Sequence, residues 1–211
     1  MTKNCNKPRI RFAGFADDWE QRKLNELGTT FTGLSGKSKN DFGHGNGLYI
    51  PYLNIFNNPL TDLNFLEKIE IDKNQNSVKY GDIFFTTSSE TPEEVGMSSI
   101  WLGNIDNLYL NSFCFGYRLN DVNSINPLYL GYMFRAKDFR ENVELLAQGI
   151  SRYNISKNKV LEIKIKYPKS ADEQNKIGHL FNSLDNLITL HQRKCEKLKN
   201  IKKSLLVKMF I

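Results

Sequence analysis

The chain has 211 residues, of which 40% are hydrophobic and 25% are charged, a composition typical of a globular protein with its own core. It contains no run of about 18 apolar residues and no apolar stretch near its start, so neither a membrane span nor a signal peptide is predicted, and a cytoplasmic location is expected. The three cysteines, Cys5, Cys114 and Cys195, are far apart and match neither a disulfide framework nor a zinc spacing.

The net charge of +6 is concentrated at the C-terminal end of the chain. Residues 191–211 contain seven lysine and arginine side chains against Glu196 alone, so residues 1–190, with 22 basic and 22 acidic side chains, are neutral. Bulk charge therefore gives no reason to expect phosphate binding by the first 190 residues, and a local basic patch is not visible in such a count.

Three segments are predicted to be helical, over residues 17–28, 126–149 and from 170 onward. The second begins with Asn126, a capping residue that is followed by proline, and this order favours the first turn of a helix. The third has Ser170 three residues before Glu173, which is the spacing of a capping box.

Between these helices, apolar and polar residues alternate with a period of two and are rich in β-branched and aromatic types, which predicts strands. Six strands are predicted, over residues 49–55, 65–71, 82–87, 98–102, 109–119 and 160–167. Because strands and helices do not alternate regularly, the pattern favours an α+β fold over a doubly wound parallel sheet.

Residues 32–47 contain five glycines and almost no apolar side chain. This composition predicts a long exposed loop. Such loops in compact domains are either functional or disordered, and the sequence does not decide between the two.

The last predicted helix carries the clearest pattern in the chain. Its apolar positions recur at steps of four and three residues, which defines a heptad seam of the kind that pairs helices. The seam comprises Ile177, Phe181, Leu184, Ile188, His191, Cys195, Leu198, Lys202, Leu205 and Met209. His191, Cys195 and Lys202 stand where an ideal coil has aliphatic side chains, and such breaks are easier to accept in an irregular antiparallel pair.

A helix from Glu173 to Lys208 is roughly 54 Å long at about 1.5 Å per residue. A body of about 170 residues is too small to cover an apolar stripe of that length. A partner helix is therefore predicted to cover the seam, and a terminal helix folded back on its own domain is the alternative. The lysine-rich face of the helix is either solvated or close to a polyanion.

A search for catalytic chemistry finds no site. Residues 126–129 (NPLY) lack the second proline of the Asn-Pro-Pro-Tyr/Phe motif with which amino-methyltransferases hold a flipped adenine. Residues 162–164 (EIK) have the Glu-x-Lys spacing of a nuclease without its Pro-Asp partner motif, and no P-loop or dinucleotide fingerprint is present. The chain is therefore not predicted to be an enzyme.

Four segments carry motifs that are familiar together. They are residues 8–24 (PRIRFAGFADDWEQRKL), 80–96 (YGDIFFTTSSETPEEVG), 149–156 (GISRYNIS) and a C-terminal helix with EQ at 173–174, KI at 176–177, HQRK at 191–194 and KSLL at 203–206. In these segments and in their order, the chain resembles the specificity subunits of type I restriction-modification enzymes over nearly its whole length. The segments are similar to the opening of each half of those subunits, to a core motif and the closing motif of the target-recognition domain, and to the conserved-region helix.

The resemblance implies a mixed α/β target-recognition domain over residues 1–169, followed over 170–211 by a long spacer helix that forms an antiparallel coiled coil. It implies that the chain reads double-stranded DNA and is itself non-catalytic. It also implies that modification and restriction subunits are its partners. No cofactor is expected on this chain, and S-adenosylmethionine is expected on the partner methyltransferase subunit.

Members of that family are usually about twice as long, with two recognition domains and two long helices. A natural half-subunit that forms a homodimer, a gene truncated between its halves and an isolated piece of a longer subunit are alternatives that the sequence leaves open. In a homodimer, two identical recognition domains would face an inverted repeat that is split by a fixed spacer. A truncated module that binds modification subunits without productive DNA recognition is the competing hypothesis, and the complete set of recognition-domain motifs favours DNA reading.

Three segments offer the side chains that contact bases and phosphates. The candidates are Ser35, Lys37, Lys39, Asn40 and His44 in the glycine-rich segment, Thr86, Thr87, Ser88, Ser89 and Thr91 in a hydroxyl-rich segment, and Arg152, Tyr153, Asn154 and Lys157 after Gly149. For each segment a structural role is the alternative, namely a disordered loop, a solvated strand end and a turn that leads into the last strand.

Overall fold

The computed structural model describes residues 7–210, which form a body of short strands and helices followed by one long helix. The strands are β1 (Glu20–Lys23), β2 (Gly28–Thr32), β3 (Phe42–Ile50), β4 (Glu67–Ile69), β5 (Ile83–Thr86), β6 (Ser88–Ser89), β7 (Ser98–Ile100), β8 (Leu108–Leu110), β9 (Cys114–Leu119), β10 (Tyr153–Asn154) and β11 (Lys164–Tyr167). The helices are α1 (Leu24–Leu27), α2 (Tyr52–Asn57), α3 (Pro127–Met133), α4 (Lys137–Glu144), α5 (Lys157–Leu161) and α6 (Ala171–Met209), with 3₁₀ turns at Lys39–Asp41 and Pro92–Glu94. The predicted α+β fold with a long last helix is confirmed.

The body is organised by two larger sheets and two ribbons. The central sheet is antiparallel, with the strand order β2-β9-β5-β7. The second sheet has the order β4-β3-β8, in which β3 is antiparallel to β4 and parallel to β8. The ribbons pair β1 with β11 and β6 with β10, so each joins segments that are far apart in the sequence.

The main core lies between the central sheet and helices α3 and α4. At its centre the ring of Phe85, on β5, stacks on Phe115 with 5.3 Å between ring centroids. The same ring meets Phe134 edge-on at 5.4 Å and lies 6.0 Å from Phe139. This aromatic cluster fixes β5 against the helices, and the hydroxyl-rich segment begins where β5 ends.

The prediction of a helix over residues 17–28 is wrong. Strand β1 pairs with β11, with Glu20 opposite Tyr167 and Lys23 opposite Lys164, and only the four residues of α1 are helical. Gly28, which was expected to end the helix, begins β2. Strand pairing overrides the local helix propensity here, because β11, which lies far along the chain, supplies backbone hydrogen-bond partners for β1.

Three of the predicted strands are interrupted or shortened. The strand predicted over 49–55 ends at Ile50, because Pro51 has no backbone N–H to continue the strand pairing and is the N-cap of α2. The strand predicted over 109–119 is two strands, because Asn111 turns the chain: its side-chain oxygen accepts a hydrogen bond from Phe113 N at 2.9 Å, and its amide donates to Ile50 O at 3.0 Å. Of the predicted strand over 160–167, only β11 is extended, and α5 occupies its start.

The prediction of a helix over 126–149 is correct at its start and wrong in its length. Asn126 caps α3, since its side-chain oxygen accepts a hydrogen bond from Tyr129 N at 2.9 Å. The helix then breaks before α4, near Arg135, whose buried guanidinium donates hydrogen bonds to backbone carbonyls. These belong to Ser98, Ile55, Phe56 and Asn58, at 2.5–3.2 Å. Burial lowers the pKa of Arg135 to about 10.

Helix α6 has 39 residues and touches the body near its start, as far as Phe181, whose ring stacks on Tyr132 with 5.5 Å between ring centroids. Ser170 caps it as predicted, accepting a hydrogen bond from Glu173 N at 3.4 Å. The Glu173 carboxylate is buried and accepts two hydrogen bonds from the Arg11 guanidinium, at 2.7 and 2.8 Å. Gly178 lies so close to α3 that a Cβ would come within 3.0 Å of Tyr129 N. Nearly all side chains beyond Gly178 are exposed, so the helix projects from the body and does not fold back on it.

Within residues 7–210, no helix is both long enough and apolar enough to cross a membrane.

Candidate nucleic-acid interface

Three segments that the sequence singles out separately meet at one open depression of about 320 Å³. They are the glycine-rich segment, the hydroxyl-rich segment after β5 and the segment that leads into α5. Each contributes one predicted residue to the lining, namely Ser35, Thr87 and Lys157. Ser112, from the turn between β8 and β9, adds a further hydroxyl. The fold therefore assembles polar groups that lie far apart in the sequence.

Backbone hydrogen bonds hold the lining in place. Thr87 N donates to Phe113 O at 2.9 Å, and Thr87 O accepts from Ile155 N at 3.0 Å. On the opposite side, Leu34 N donates to Leu110 O at 2.8 Å. Since each segment is tied to a neighbour through its main chain, the depression is built from ordered backbone.

The hydroxyl-rich segment is only partly available to a ligand. Thr86, Ser88 and Ser89 are buried, and their hydroxyls form hydrogen bonds within the protein. Thr87 is half-buried in the depression, and Thr91 is exposed. The alternative of a solvated strand end is wrong for the three buried side chains, because β6 pairs with β10. A contact between these residues and DNA stays a prediction.

The segment from 149 to 157 forms a tight turn that presents cations. Gly149 has a φ of +143°, and a Cβ there would lie 2.0 Å from Arg152 O, so the turn requires glycine. Arg152, Asn154 and Lys157 are exposed, and Tyr153 is half-buried. The Arg152 side chain is anchored by its Nε, which donates to the Ser88 hydroxyl at 3.3 Å. The turn leads into α5 and not directly into the last strand as the alternative supposed.

The glycine-rich segment is ordered by its neighbours, and the prediction of a loop is wrong from residue 42, where β3 begins. Lys37 Nζ lies 2.7 Å from a carboxylate oxygen of Asp72, and it lowers the pKa of that carboxyl to about 2. The Ser35 backbone forms two hydrogen bonds with the Gln75 side chain, at 3.0 and 3.1 Å. Of the five predicted residues in this segment, Ser35 lines the depression, and Lys37, Lys39, Asn40 and His44 do not.

The sequence predictions missed the turn between β8 and β9. Phe113, at its tip, is 61% exposed and lines a second cavity of about 210 Å³, while its neighbour Ser112 lines both this cavity and the depression. That second cavity is lined by Phe42, Tyr49, Pro51, Tyr52, Asn111, Ser112 and Phe113. Exposed aromatic rings of this kind stack on unpaired bases or contact thymine methyl groups. The period-two pattern over 109–119 concealed the turn, for which Asn111 is the local signal.

The sequence model of the family described as "Type I restriction modification DNA specificity domain" matches residues 16–200. This range includes all three segments, the depression and most of α6. The chain belongs to this family. The family named from the sequence motifs is thereby confirmed.

Known members of the type I specificity family resemble the chain over its whole length but are longer. The type I restriction enzyme MjaX specificity subunit of Methanocaldococcus jannaschii is 26% identical over 214 residues, which cover 99% of this chain and 49% of that protein. The S subunit of the type I system of M. genitalium superposes with a TM-score of 0.62 at 15% identity, over 96% of this chain and 48% of that one. The HsdS subunit of Thermoanaerobacter tengcongensis gives 0.59 at 16% identity, over 94% and 46%.

The chain thus spans about half the length of the type I specificity subunits that it matches. At these low identities the superpositions show a shared fold alone. Specificity subunits of type I systems are in general not catalytic. In this specificity chain, burial raises the pKa of the Cys114 thiol, which lines the depression, to about 12, so it stays protonated at neutral pH. Within residues 7–210 no three His, Cys, Asp or Glu side chains are placed to hold a metal ion.

One pH-dependent contact lies in the glycine-rich segment of this specificity chain. His44 Nε2 lies 2.7 Å from Asn40 O, and Nδ1 lies 2.9 Å from a carboxylate oxygen of Glu70. Both partners raise the pKa of His44 above its ordinary value, the backbone carbonyl more than the carboxylate. The protonated imidazole therefore stabilises the segment fully below the unfolded-state pKa, and this stabilisation is lost as the pH rises through the raised folded-state pKa.

We expect Glu70→Gln to lower the pKa of His44 without removing the whole shift, because the Asn40 carbonyl remains. An NMR titration of the imidazole C–H signals measures this change. Glu67→Gln removes a neighbouring carboxylate that does not contact His44 and serves as the control. A His44 titration that is the same in the Glu70 variant and the unaltered protein would contradict the assignment.

Proposed function

We propose that this chain is the DNA-reading component of a type I restriction-modification enzyme and reads one half of a bipartite target. The observation that carries the proposal is the meeting of three polar segments at one depression, with Ser35, Thr87 and Lys157 in its lining and the exposed Arg152 on the turn that leads to it. Cations at the edge of an ordered polar surface fit phosphate and guanine contacts, and hydroxyls fit both base edges and phosphates.

We further propose that two copies associate through α6 and hold two identical recognition domains over an inverted repeat. The exposed seam of α6 supports this part of the proposal, because an apolar stripe of that length requires a partner. The chain acts without a cofactor of its own. S-adenosylmethionine is held by the partner methyltransferase subunit, and restriction subunits carry out cleavage.

Replacing Arg152 and Lys157 together by alanine is expected to abolish methylation at the target while leaving assembly intact. Each lost phosphate contact lowers the slope of the salt dependence of DNA binding by about one, and a lost arginine–guanine contact costs about 1–3 kcal/mol. The combined loss corresponds to at least about tenfold weaker DNA binding. The measurement is methylome sequencing of cells that co-express this chain with its modification subunit, followed by DNA-binding titrations of the purified complex at several salt concentrations.

The matched control is Lys73→Ala with Lys137→Ala, which removes two exposed cations outside the depression. Unchanged methylation in the Arg152 and Lys157 double variant would remove the depression from the DNA-reading surface. A complex of the unaltered chain with its modification subunit that gives no methylation signal would instead favour the partner-binding module.

A further inference from the structure

The outer part of α6 carries apolar side chains that are largely uncovered within residues 7–210, although the ring of Phe181 stacks on Tyr132 of α3. Six seam residues are between 44% and 71% exposed, namely Phe181, Leu184, Ile188, Leu198, Leu205 and Met209. Because these residues lie at steps of three and four, they form one face of the helix. The polar residues on and beside this face restrict which partner fits and in which register.

We propose that a second copy of this chain docks here with its helix antiparallel, in the register where Phe181 faces Leu205 of the second copy and Ile188 faces Leu198. This inference rests on the homodimer of the proposed function and adds the register of its interface. Two-fold symmetry repeats each pairing, so Phe181, Ile188, Leu198 and Leu205 meet apolar partners on both sides of the centre.

The same register accounts for the polar positions of the seam. His191 faces Cys195 of the second copy, and the reverse pairing lies beside it, with the two-fold axis at the level of Arg193. Lys202 faces Leu184, where its methylene stem covers the leucine and its ammonium reaches solvent. A parallel pair in register would instead place Lys202 against Lys202. Polar seam residues that meet one another specify a register, as polar core residues do in other coiled coils.

The positions that flank the seam agree with this register. Asp185 lies opposite Lys199 of the second copy, which makes two ion pairs across the dimer. Leu187 lies opposite Ile201, which extends the apolar contact on the other side. The Lys194 side chains of the two copies approach each other near the axis. This like-charge contact is unfavourable, but it faces solvent. Both charge complementarity and apolar matching therefore favour one alignment of the two helices.

Neighbouring registers fit less well. Sliding one helix by seven residues in one direction places Leu187 opposite Lys208. Sliding it by seven in the other direction places Leu187 opposite Lys194 and Ile188 opposite His191. The proposed register also places Leu180 opposite Lys208, but each shift moves Leu187 from Ile201 to a lysine, and so loses an apolar contact that the proposed register keeps.

An apolar cavity beside the N-terminal part of α6 can accept the C-terminal end of the second helix. A cavity of about 350 Å³ there has Trp19, Tyr132, Met133, Ile177 and Phe181 in its lining. In the proposed register, Met209 of the second copy lies next to Ile177, which lines this cavity. The alignment that fits the seam thus also places the apolar end of one helix over the apolar cavity of the other copy.

Cross-linking tests the register in the full chain. In a Cys5→Ser background, His191→Cys places a second thiol opposite Cys195 of the other copy, and Leu198→Cys does so only if one helix is shifted by seven residues. We expect mild oxidation or a short bifunctional thiol reagent to convert most of the His191→Cys protein to a covalent dimer, and little of the Leu198→Cys protein. The oligomeric mass of each variant before oxidation is measured in parallel.

Each outcome bears on one part of the inference. Preferential cross-linking of the Leu198→Cys protein overturns the register and leaves the homodimer. A two-chain mass without cross-linking of either variant overturns the antiparallel seam. A one-chain mass for the unaltered protein overturns the homodimer itself, and with it the register.

A charge reversal provides a second measurement that does not depend on thiol chemistry. Lys199→Glu places a glutamate opposite Asp185 at two symmetric positions, and we expect the dimer to dissociate about tenfold more readily at low salt. Adding Asp185→Lys is expected to restore the affinity. Asp185 also lies near the Tyr132 hydroxyl, whose pKa is raised by burial and by this carboxylate, so Lys199→Glu is the primary variant.

Lys197→Glu makes the same change of charge on a position away from the seam and is the control. Equal weakening by Lys197→Glu and Lys199→Glu, with no rescue by Asp185→Lys, would overturn the register. Sedimentation equilibrium over a range of salt concentrations gives the dissociation constants.

Discussion

Replacement of Ile188 and Leu198 together by aspartate is expected to convert the proposed dimer into single chains. Each substitution removes the burial of a large aliphatic side chain, worth about 1.5–3 kcal/mol, and two-fold symmetry doubles the loss. The two aspartates also face each other across the proposed interface, so like charges replace an apolar contact. The combined effect corresponds to a loss of at least about 1,000-fold in dimer affinity. Sedimentation velocity at micromolar concentration distinguishes one chain from two.

The matched control uses aliphatic residues on the same helix that point away from the seam. Leu190 and Val207 are 61% and 68% exposed, and their double replacement by aspartate makes the same chemical change. We expect the control protein to keep the mass of the unaltered chain. A two-chain mass for the Ile188 and Leu198 variant would remove α6 as the dimer interface. If the mass falls as expected, methylation at the split target should fall with it, although the DNA-contact candidates are untouched.

Phe85→Ala is expected to lower the free energy of unfolding by about 3–5 kcal/mol, through lost transfer free energy and the cavity that remains. The side chain is fully buried and contacts three other aromatic rings, which lie on β9, at the end of α3 and on α4. That loss is a large part of the total of about 5–15 kcal/mol that stabilises an ordinary domain. The melting temperature should therefore fall by roughly 10 °C or more. Urea and thermal denaturation of the purified protein measure both quantities.

Phe113→Ala removes the same side chain from an exposed position and is the control for stability. We expect it to change the free energy of unfolding by no more than about 0.5 kcal/mol, because Phe113 is mostly in contact with solvent. If Phe85→Ala unfolds like the unaltered protein, the aromatic cluster does not hold β5 as described. Because Phe85 lies two residues before Thr87, the same variant also shows whether the depression depends on this core.

Features that are encoded within a few residues were predicted correctly. Asn126 and Ser170 cap helices as expected, because a capping side chain acts on backbone groups two or three residues away. The apolar seam of α6 could be predicted from the sequence because a heptad repeat is a property of one helix. The motifs identified the family for the same reason, since each is a short and continuous string. The division of the chain near residue 170 and the candidate DNA-contact residues stay predictions.

Other features depend on contacts that no local pattern contains. Residues 20–23 are extended because β11 lies beside them, and the chain breaks after α3 where Arg135 donates to carbonyls of residues 55–58 and 98. Burial of Thr86, Ser88 and Ser89 follows from the strands around them, so their hydroxyls could not be separated in advance from that of Thr87. By itself the sequence determined the family, the two helix caps and the apolar face of α6, because each of these depends on the spacing of residues that are close in the chain. Only the tertiary structure decided which polar residues share a surface, because that requires segments more than 100 residues apart, such as Ser35 and Lys157, to be brought together by the sheets.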